Sequence, residues 1–316
     1  MVASKLEHGG AVVGAAGVAA REAGDYAVPH AAEVGLSPRA GVRSVSATDE
    51  DDEHADLALL LSEPRPLEGR TSSSAAPLHL WQDSAAVAAV ATCLFVLLTA
   101  DVSTGAAGVG AVDRGVHEWV QTHLTSEQRG WWQHTLSNAL VGGGLVTDVL
   151  LSLYLATRRG SNAADARAVL LVVAAFSVAF GALLPLHDDG TLGVIKAWVH
   201  RPRPTPLGSS FAFPSGHTAM AAFSYTAAAS LLLPRALRLT PSSPAVSAML
   251  AGAAALAATT GLGRVMGDVH WTSDVVGGAA YGSSLALWAS AAAAAWDARE
   301  ERGTGAVQSA DEGKDK

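Results

Sequence analysis

The chain has 316 residues, a formal net charge of -8 and 49% hydrophobic residues, with only 16% charged, against about 25% in a typical soluble domain. The acidic balance argues against nucleic acid as the main partner. The single cysteine, Cys93, excludes an intrachain disulfide and leaves the redox compartment unread; lying in an apolar run, it is expected to pack rather than react.

Residues 1–80 are predicted to be a disordered tail, because they are rich in Ala, Gly, Ser, Pro and charge with no sustained apolar period. The acidic run Asp49 to Glu53 reads as solvated. No secretory signal is expected, since no apolar core of 7–15 residues follows a basic start, and Glu7, Glu22, Asp25 and Glu33 disfavour a transit peptide. The segment Asp56 to Leu61 reads either as a short amphipathic turn or as an acidic dileucine sorting address.

From Ser84 onward apolar blocks alternate with short polar breaks, at roughly 84–104, 139–157, 168–186, 215–233, 246–263 and 270–295. Each is near the ~20 residues that carry a helix across a bilayer core. Several are Ala- and Gly-rich, which suits close helix contact. The prediction is an all-α fold: a six-span transmembrane helical bundle over 81–296, between the disordered N-terminal tail and a second disordered tail at 297–316. Six consecutive blocks with charge confined to the breaks disfavour a soluble helical protein.

The break from 105 to 138 has a different pattern. Val112, Val116, Trp119, Val120 and His123 fall on one helical face, and Thr125-Ser-Glu-Gln128 reads as a capping box opening a second short helix. Trp131 and Trp132 suit a membrane interface. Two helices lying along the bilayer surface, over the mouth of the bundle, are expected here. Asp148, inside the second block, is a functional candidate because a carboxylate within a bilayer is costly; it stays outside the catalytic set.

Six spans put both chain ends on one side. Arg158, Arg159 and Arg167 follow the second block, Arg235 and Arg238 the fourth, and Arg299 and Arg302 the sixth, so these breaks are expected to face the cytoplasm. The breaks after the third and fifth blocks then face the other way, and all the residues that look chemical sit in or beside those two.

The first such segment runs from Lys196 to Pro204 and holds Lys196 and Arg203. Pro202 and Pro204 push the residues before them toward extended conformations, so a helix ending near Val199 and an extended arginine-bearing strap are predicted. The two cations can converge on one anion, and arginine's planar fork matches phosphate oxygens. In the second segment, Pro214-Ser215-Gly216-His217 opens the fourth block. Ser215 is a favoured N-cap, the helix start offers free N–H groups to an anion, Gly216 lets backbone approach a ligand, and His217 sits beside the bound group. In the third, Arg264 precedes Gly267, His270 and Asp274. Four residues apart, His270 and Asp274 are expected to share a helical face, the carboxylate holding one ring nitrogen and freeing the other as nucleophile or base. Asp188 and Asp189 read as an exposed loop pair rather than a metal site.

In order and spacing the three segments resemble the type 2 phosphatidic acid phosphatase superfamily, which also includes vanadium haloperoxidases and glucose-6-phosphatase. Its K-x6-R-P motif is matched by Lys196 to Pro204, its P-S-G-H by Pro214 to His217, and its S-R-x5-H-x3-D by Gly263 to Asp274, over a core of roughly 84–296. The chain departs from the pattern at Gly263, where the family usually has Ser, and the gap between the first two motifs is short, Thr205 to Phe213. The resemblance implies an integral-membrane, metal-independent lipid phosphatase without cofactor, acting on a phosphomonoester or pyrophosphate of a membrane lipid. It implies His270 as the nucleophile that forms a phosphohistidine, Asp274 as its orienting carboxylate and His217 as the general acid. Lys196, Arg203, Ser215, Gly216 and Arg264 are implied to bind the phosphate oxygens. A lipid phosphotransferase using the same phosphohistidine and a non-catalytic lipid-binding relative stand as alternatives; the six spans count against a haloperoxidase. The expected location is the endoplasmic reticulum or plasma membrane, or the inner membrane if the cell is bacterial, with the site on the lumenal or extracytoplasmic face. Which lipid is the substrate is left open.

Overall fold

In a computed structural model of the chain, the described residues are 83–105, 108–181, 190–205 and 210–312, with side chains as far as 303. The chain divides into two units, Met1–Ser72 and Ser73–Lys316. The first lies wholly outside the described residues, and with it most of the expected N-terminal tail, the acidic run and the leucine-rich segment; Asp188 and Asp189 also lie outside them. Among the described residues of the second unit every regular element is helical.

Helix α1, Ser84–Thr104, starts where the Asp83 carboxylate accepts the amides of Ala85 at 3.0 Å and Ala86 at 3.1 Å, and stops at Gly105 with φ 66. Its flanks carry Val90, Leu94, Val96, Leu97 and Cys93, all exposed, so Cys93 faces outward instead of packing inward. Only 6% of its most apolar stretch is buried within the protein. Leaving such a face in water would cost about 1.5–3 kcal/mol for each large side chain; facing lipid removes that cost. Among the described residues, four helices are long and apolar enough to cross a membrane: α1, α3 (Ser126–Thr157), α4 (Ala163–Phe180) and α7 (Pro244–Met266). The chain is an integral membrane protein.

The other helices are α2 (Gly108–His123), α5 (Gly190–Val199), α6 and α8 (Thr272–Glu312). Helix α6 begins as Gly216–Ala227, loosens into a π-helical stretch at Ala228–Leu232 and ends with Leu233–Ala236. Each of the six expected blocks contains a helix among the described residues, but α6 and α8 do not meet the apolarity that spanning by composition requires. The reason is their position. Helix α6 packs against α3, α7 and α8, and its first turns are buried almost all round, from Thr218 through Ala227. A helix enclosed by protein has no lipid to satisfy and can be built from Ala, Ser and Thr. Helix α8 seats on α6 through Gly278 and Gly282, where an added Cβ would meet Ser215 O at 2.5 Å and Ala219 O at 2.1 Å. Small residues four apart are what such a close crossing needs.

The core beneath the site joins Leu155, Val172, Phe223, Leu232 and Ala286 from α3, α4, α6 and α8. At the far end of α6 the basic breaks come together. Arg158 pairs with Asp165 at 2.8 Å and donates to Arg235 O at 3.1 Å, and Asp297 receives Arg167 at 3.0 Å and Arg235 at 2.5 Å. Arg167 also holds Glu300 at 2.6 Å. Helix α8 runs on through these residues to Glu312, so the stretch expected to be an irregular tail from 297 is helical as far as 312.

Two expectations for the 105–138 segment change. The Thr125–Gln128 capping box forms, with the Gln128 amide donating to Thr125 Oγ1 at 3.2 Å and the Thr125 amide to Gln128 Oε1 at 2.9 Å. The helix it opens is not a separate short one; it continues through a π-helical stretch, Trp131–Ser137, into the membrane-crossing part of α3. Helix α2 exists as predicted, but Val112 and Trp119 are exposed while Val120 and Asp113 are buried. Its inward side carries Asp113, His117 and Gln121, all bonded to the chain near residues 268–273. Polar partners there outweigh the apolar stripe.

Candidate active site

The site forms where the starts of α6 and α8, the end of α7 and the strap after α5 meet. Helix α5 ends at Val199, His200 takes φ 51, and the chain continues without regular structure through Arg201 to Thr205, as the prolines require. The Arg201 carbonyl accepts the Ala212 amide at 2.8 Å, and Trp271 Nε1 donates to Pro202 O at 2.8 Å, tying the strap to the loop before α8.

His270 lies in that loop, not in helix α8, which begins at Thr272. It is 3% exposed. The expected pairing still forms, because the turn leaves Nδ1 3.4 Å from Asp274 Oδ2, a carboxylate 0% exposed that also accepts the Trp271 amide at 2.9 Å. On the other side of the ring, Arg203 Nη1 lies 3.1 Å from Nε2 and donates to Val269 O at 2.8 Å. A guanidinium can only donate, so Nε2 carries the lone pair and the ring proton sits on Nδ1, facing Asp274. Burial pushes the His270 imidazole down to about 4; Asp274 opposes that fall, and the charges of Arg203 and Arg264 add to it. Burial also lowers Arg203, against the pull of Asp274.

Arg264 lies in the last turn of α7 at 5% exposure, and its buried Nε has no hydrogen-bond partner. In the turn that follows, Val269 N donates to Arg264 O at 3.2 Å, and the left-handed residue is Asp268 at φ 57, not Gly267. Gly267 matters for space: a Cβ there would lie 2.7 Å from Gln133 Cβ. At Gly263, where the resembled family has Ser, a Cβ would come 3.0 Å from Trp132 O and 3.2 Å from Ser137 Cβ, so the π-helical stretch of α3 fills the place of a serine side chain.

Ser215 precedes α6 but makes no side-chain cap. Its amide donates to Asp274 O at 3.0 Å and its hydroxyl accepts from Thr218 Oγ1 at 3.0 Å. The first amides of α6 are therefore left without that cap, as an anion site requires. Lys196 comes up from α5: a Cβ on Gly216 would lie 3.6 Å from its Nζ. His217 is half-buried, with Nε2 3.0 Å from Asn138 Oδ1, and Arg264, His270, Lys196 and Arg203 are all near enough to act on it electrostatically. The structure thus brings together Lys196, Arg203, Ser215, Gly216, His217, Arg264, His270 and Asp274.

Sequence reasoning missed Asn138, Asp113, Arg201 and Ser273. Arg201 offered one signal, its place two residues before Arg203 on the same strap. Asp148 is not in the site. It lies buried in α3, its Oδ1 without a partner, and lines a cavity of about 350 Å³ with residues of α3 and α4.

The fold and the site define a helical membrane protein in which two arginines and a lysine gather around two histidines. Residues 168–297, which contain all three motifs, match the family described as PAP2 superfamily. No curated protein matches the chain. Among solved structures the chain is similar to the first transmembrane PAP2 type phosphatidylglycerolphosphate phosphatase from Bacillus subtilis, at 21% identity and a TM-score of 0.48, over 64% of this chain and 93% of that one.

Proposed function

We propose that the protein is an integral-membrane lipid phosphatase that hydrolyses a phosphomonoester or pyrophosphate of a lipid through a phosphohistidine on His270. The observation that carries this reading is the placing of His270 between two groups: Arg203 faces its Nε2 and Asp274 its Nδ1, an arrangement that favours a lone pair on Nε2. The phosphate of the substrate sits on the α6 N-terminus among Lys196, Arg203 and Arg264. His270 Nε2 attacks phosphorus, the P–O bond to the lipid breaks, and His217 gives its proton to the leaving oxygen. The ring, now N-phosphorylated and cationic, is stabilised by Asp274. His217 then takes a proton from water as its oxygen attacks phosphorus, and the N–P bond breaks to release inorganic phosphate. The cations neutralise charge on the transferring group, a role that in other phosphoryl-transfer sites falls to metal ions, and activity is expected without added metal.

In this reading α6 and α8 also cross the bilayer, giving six spans. Helix α6 has about 21 residues, roughly 30 Å, with the site at its start and the arginine cluster at its end. The arginine-rich end faces the cytoplasm and the site faces the lumen or the cell exterior. The test is phosphate release by purified protein across a panel of lipid phosphates and pyrophosphates, with and without chelator. Release that survives chelator and vanishes in His270→Ala supports the proposal; release unchanged in a folded His270→Ala protein overturns it.

A further inference from the structure

Behind Asp274 lies a second set of charges that neither the three motifs nor the phosphate pocket uses. Arg201 Nη1 donates to Asp274 Oδ1 at 2.6 Å and to Ser273 Oγ at 2.6 Å, and its Nη2 donates to Asp113 Oδ2 at 2.6 Å. Asp113 comes from α2 and is itself fixed by the Ser273 amide at 3.0 Å and the Ser273 hydroxyl at 2.5 Å. It is 3% exposed, and the Arg201 side chain 16%. The Arg201 guanidinium lies over the Trp271 ring, 5.5 Å from its centre. Arg201 therefore differs from Arg203 two residues on: both its terminal nitrogens are committed to carboxylates, whereas Arg203 faces the nucleophile.

The charges add up in a definite way. Asp113, Arg201 and Asp274 together carry -1 while His270 is neutral. When Nε2 forms its bond to phosphorus, the ring becomes cationic and the four groups sum to zero. Without Asp113, Arg201 would cancel Asp274 and the cationic ring would face no net negative charge. Without Arg201, two buried carboxylates would face each other across Ser273, a costly arrangement that draws protons.

We propose that Asp113 and Arg201 are positioning residues that act through Asp274 to fix how much negative charge His270 feels. This rests on His270 being the nucleophile of the proposed phosphatase, and it gives helix α2 a part in the chemistry: it carries the counter-charge to the site from 160 residues away in sequence. The groups acting on His270 from other elements are Arg203 on the strap, Arg264 on α7 and His217 on α6, with Lys196 of α5 beside His217. Asp268 in its own loop is bonded to His117 and Gln121 of α2 and to Thr205. None of these is altered by the test.

The test follows the titration of His270 by NMR in protein with ring-labelled histidine, its signal identified by its loss in His270→Ala. Removing a negative charge makes the cationic ring less favourable, so Asp113→Asn should lower the midpoint by about one pH unit; Arg201→Met should raise it by about one unit. The double variant Asp113→Asn/Arg201→Met restores the net charge and should return to within about half a unit of the unaltered protein. Arg201→Lys keeps the charge and should also stay within about half a unit. Single variants that shift the midpoint in the same direction, as loosened packing would, overturn the proposal. So does Arg201→Lys displaced as far as Arg201→Met. The acid limb of phosphate release should move with the midpoint in each variant. If the unaltered protein releases no phosphate from any lipid, the proposed activity falls, while the titration still decides this inference.

Discussion

Replacing Arg264 by Met should separate activity from stability. The side chain is 5% exposed and its Nε has no partner, so the folded protein bears the desolvation of a cation without a matching hydrogen bond at that atom. Arg203 stands nearby with the same sign of charge. The turn after α7 depends on the Arg264 carbonyl and not on its guanidinium, and Met fills similar space with a flexible apolar chain. Removing a buried, poorly compensated charge is neutral or stabilising, by up to about 1–4 kcal/mol. A phosphate in the pocket gives the guanidinium its use. Losing one preorganised donor to the transferring group costs about 2.7–4 kcal/mol of barrier, roughly 10²- to 10³-fold in rate. Phosphate release on a detergent-dispersed lipid substrate would give kcat/KM, and thermal unfolding in the same detergent the stability. The expected result is kcat/KM down by about two to three decades with an unfolding temperature equal to or above that of the unaltered protein. A variant that unfolds at much lower temperature, or one that keeps its activity, would refute the assignment of Arg264 to the anion.

Orthovanadate adopts a five-coordinate form like the phosphoryl transition state, so it should inhibit competitively; unchanged initial rates at about millimolar vanadate, with substrate below half-saturation, would count against the pocket. Accessibility tags at residue 160 and at the C-terminus should report one side of the membrane and a tag at residue 208 the other; tags at 160 and 208 on the same side would remove the six-span arrangement. Because burial holds His270 down to about 4, its nucleophilic form should persist as pH falls through the usual histidine value near 6.5, and any acid limb of kcat/KM due to this residue should lie near pH 4. The unfolded chain binds this proton between about pH 6.5 and 4 and the folded protein does not, so His270's linked contribution is fully present above about pH 6.5 and is lost as pH falls through about 4; unfolding temperatures that rise across this window on acidification would contradict its burial as a neutral ring.

Much of the site was legible because local rules place its parts. The prolines around Arg203 predict a strap after Val199, and the chain follows it. Thr125 and Gln128 announce their cap. Block alternation predicts that the strap, the start of α6 and the loop before α8 meet at one end. What the sequence hid depends on long-range partners. The inward face of α2 is polar because Ser273, Arg201 and Asp268 wait there, 88 to 160 residues on, and a helical wheel sees only the apolar stripe of Val112, Val116 and Trp119. Asn138 meets His217 across 79 residues. His270 and Asp274 meet as expected but by a turn, since α8 begins two residues after the histidine. The continuation of α8 through Asp297 and Glu300 follows from their finding Arg167 and Arg235, charges that in isolation look like a solvated tail. In the proposed six-span arrangement composition undervalues α6 and α8, because enclosed helices need close contact more than apolar bulk.

The central claim is that His270 carries the phosphoryl group during turnover. A lipid phosphate that supports turnover, labelled with ³²P, would be mixed with the enzyme and quenched in alkali, where phosphohistidine survives. The label should be covalently bound to the unaltered protein, map to the peptide containing His270, and be absent from His270→Ala. Turnover with the label on His217 or another residue, or rapid turnover in a folded His270→Ala protein, would contradict the account.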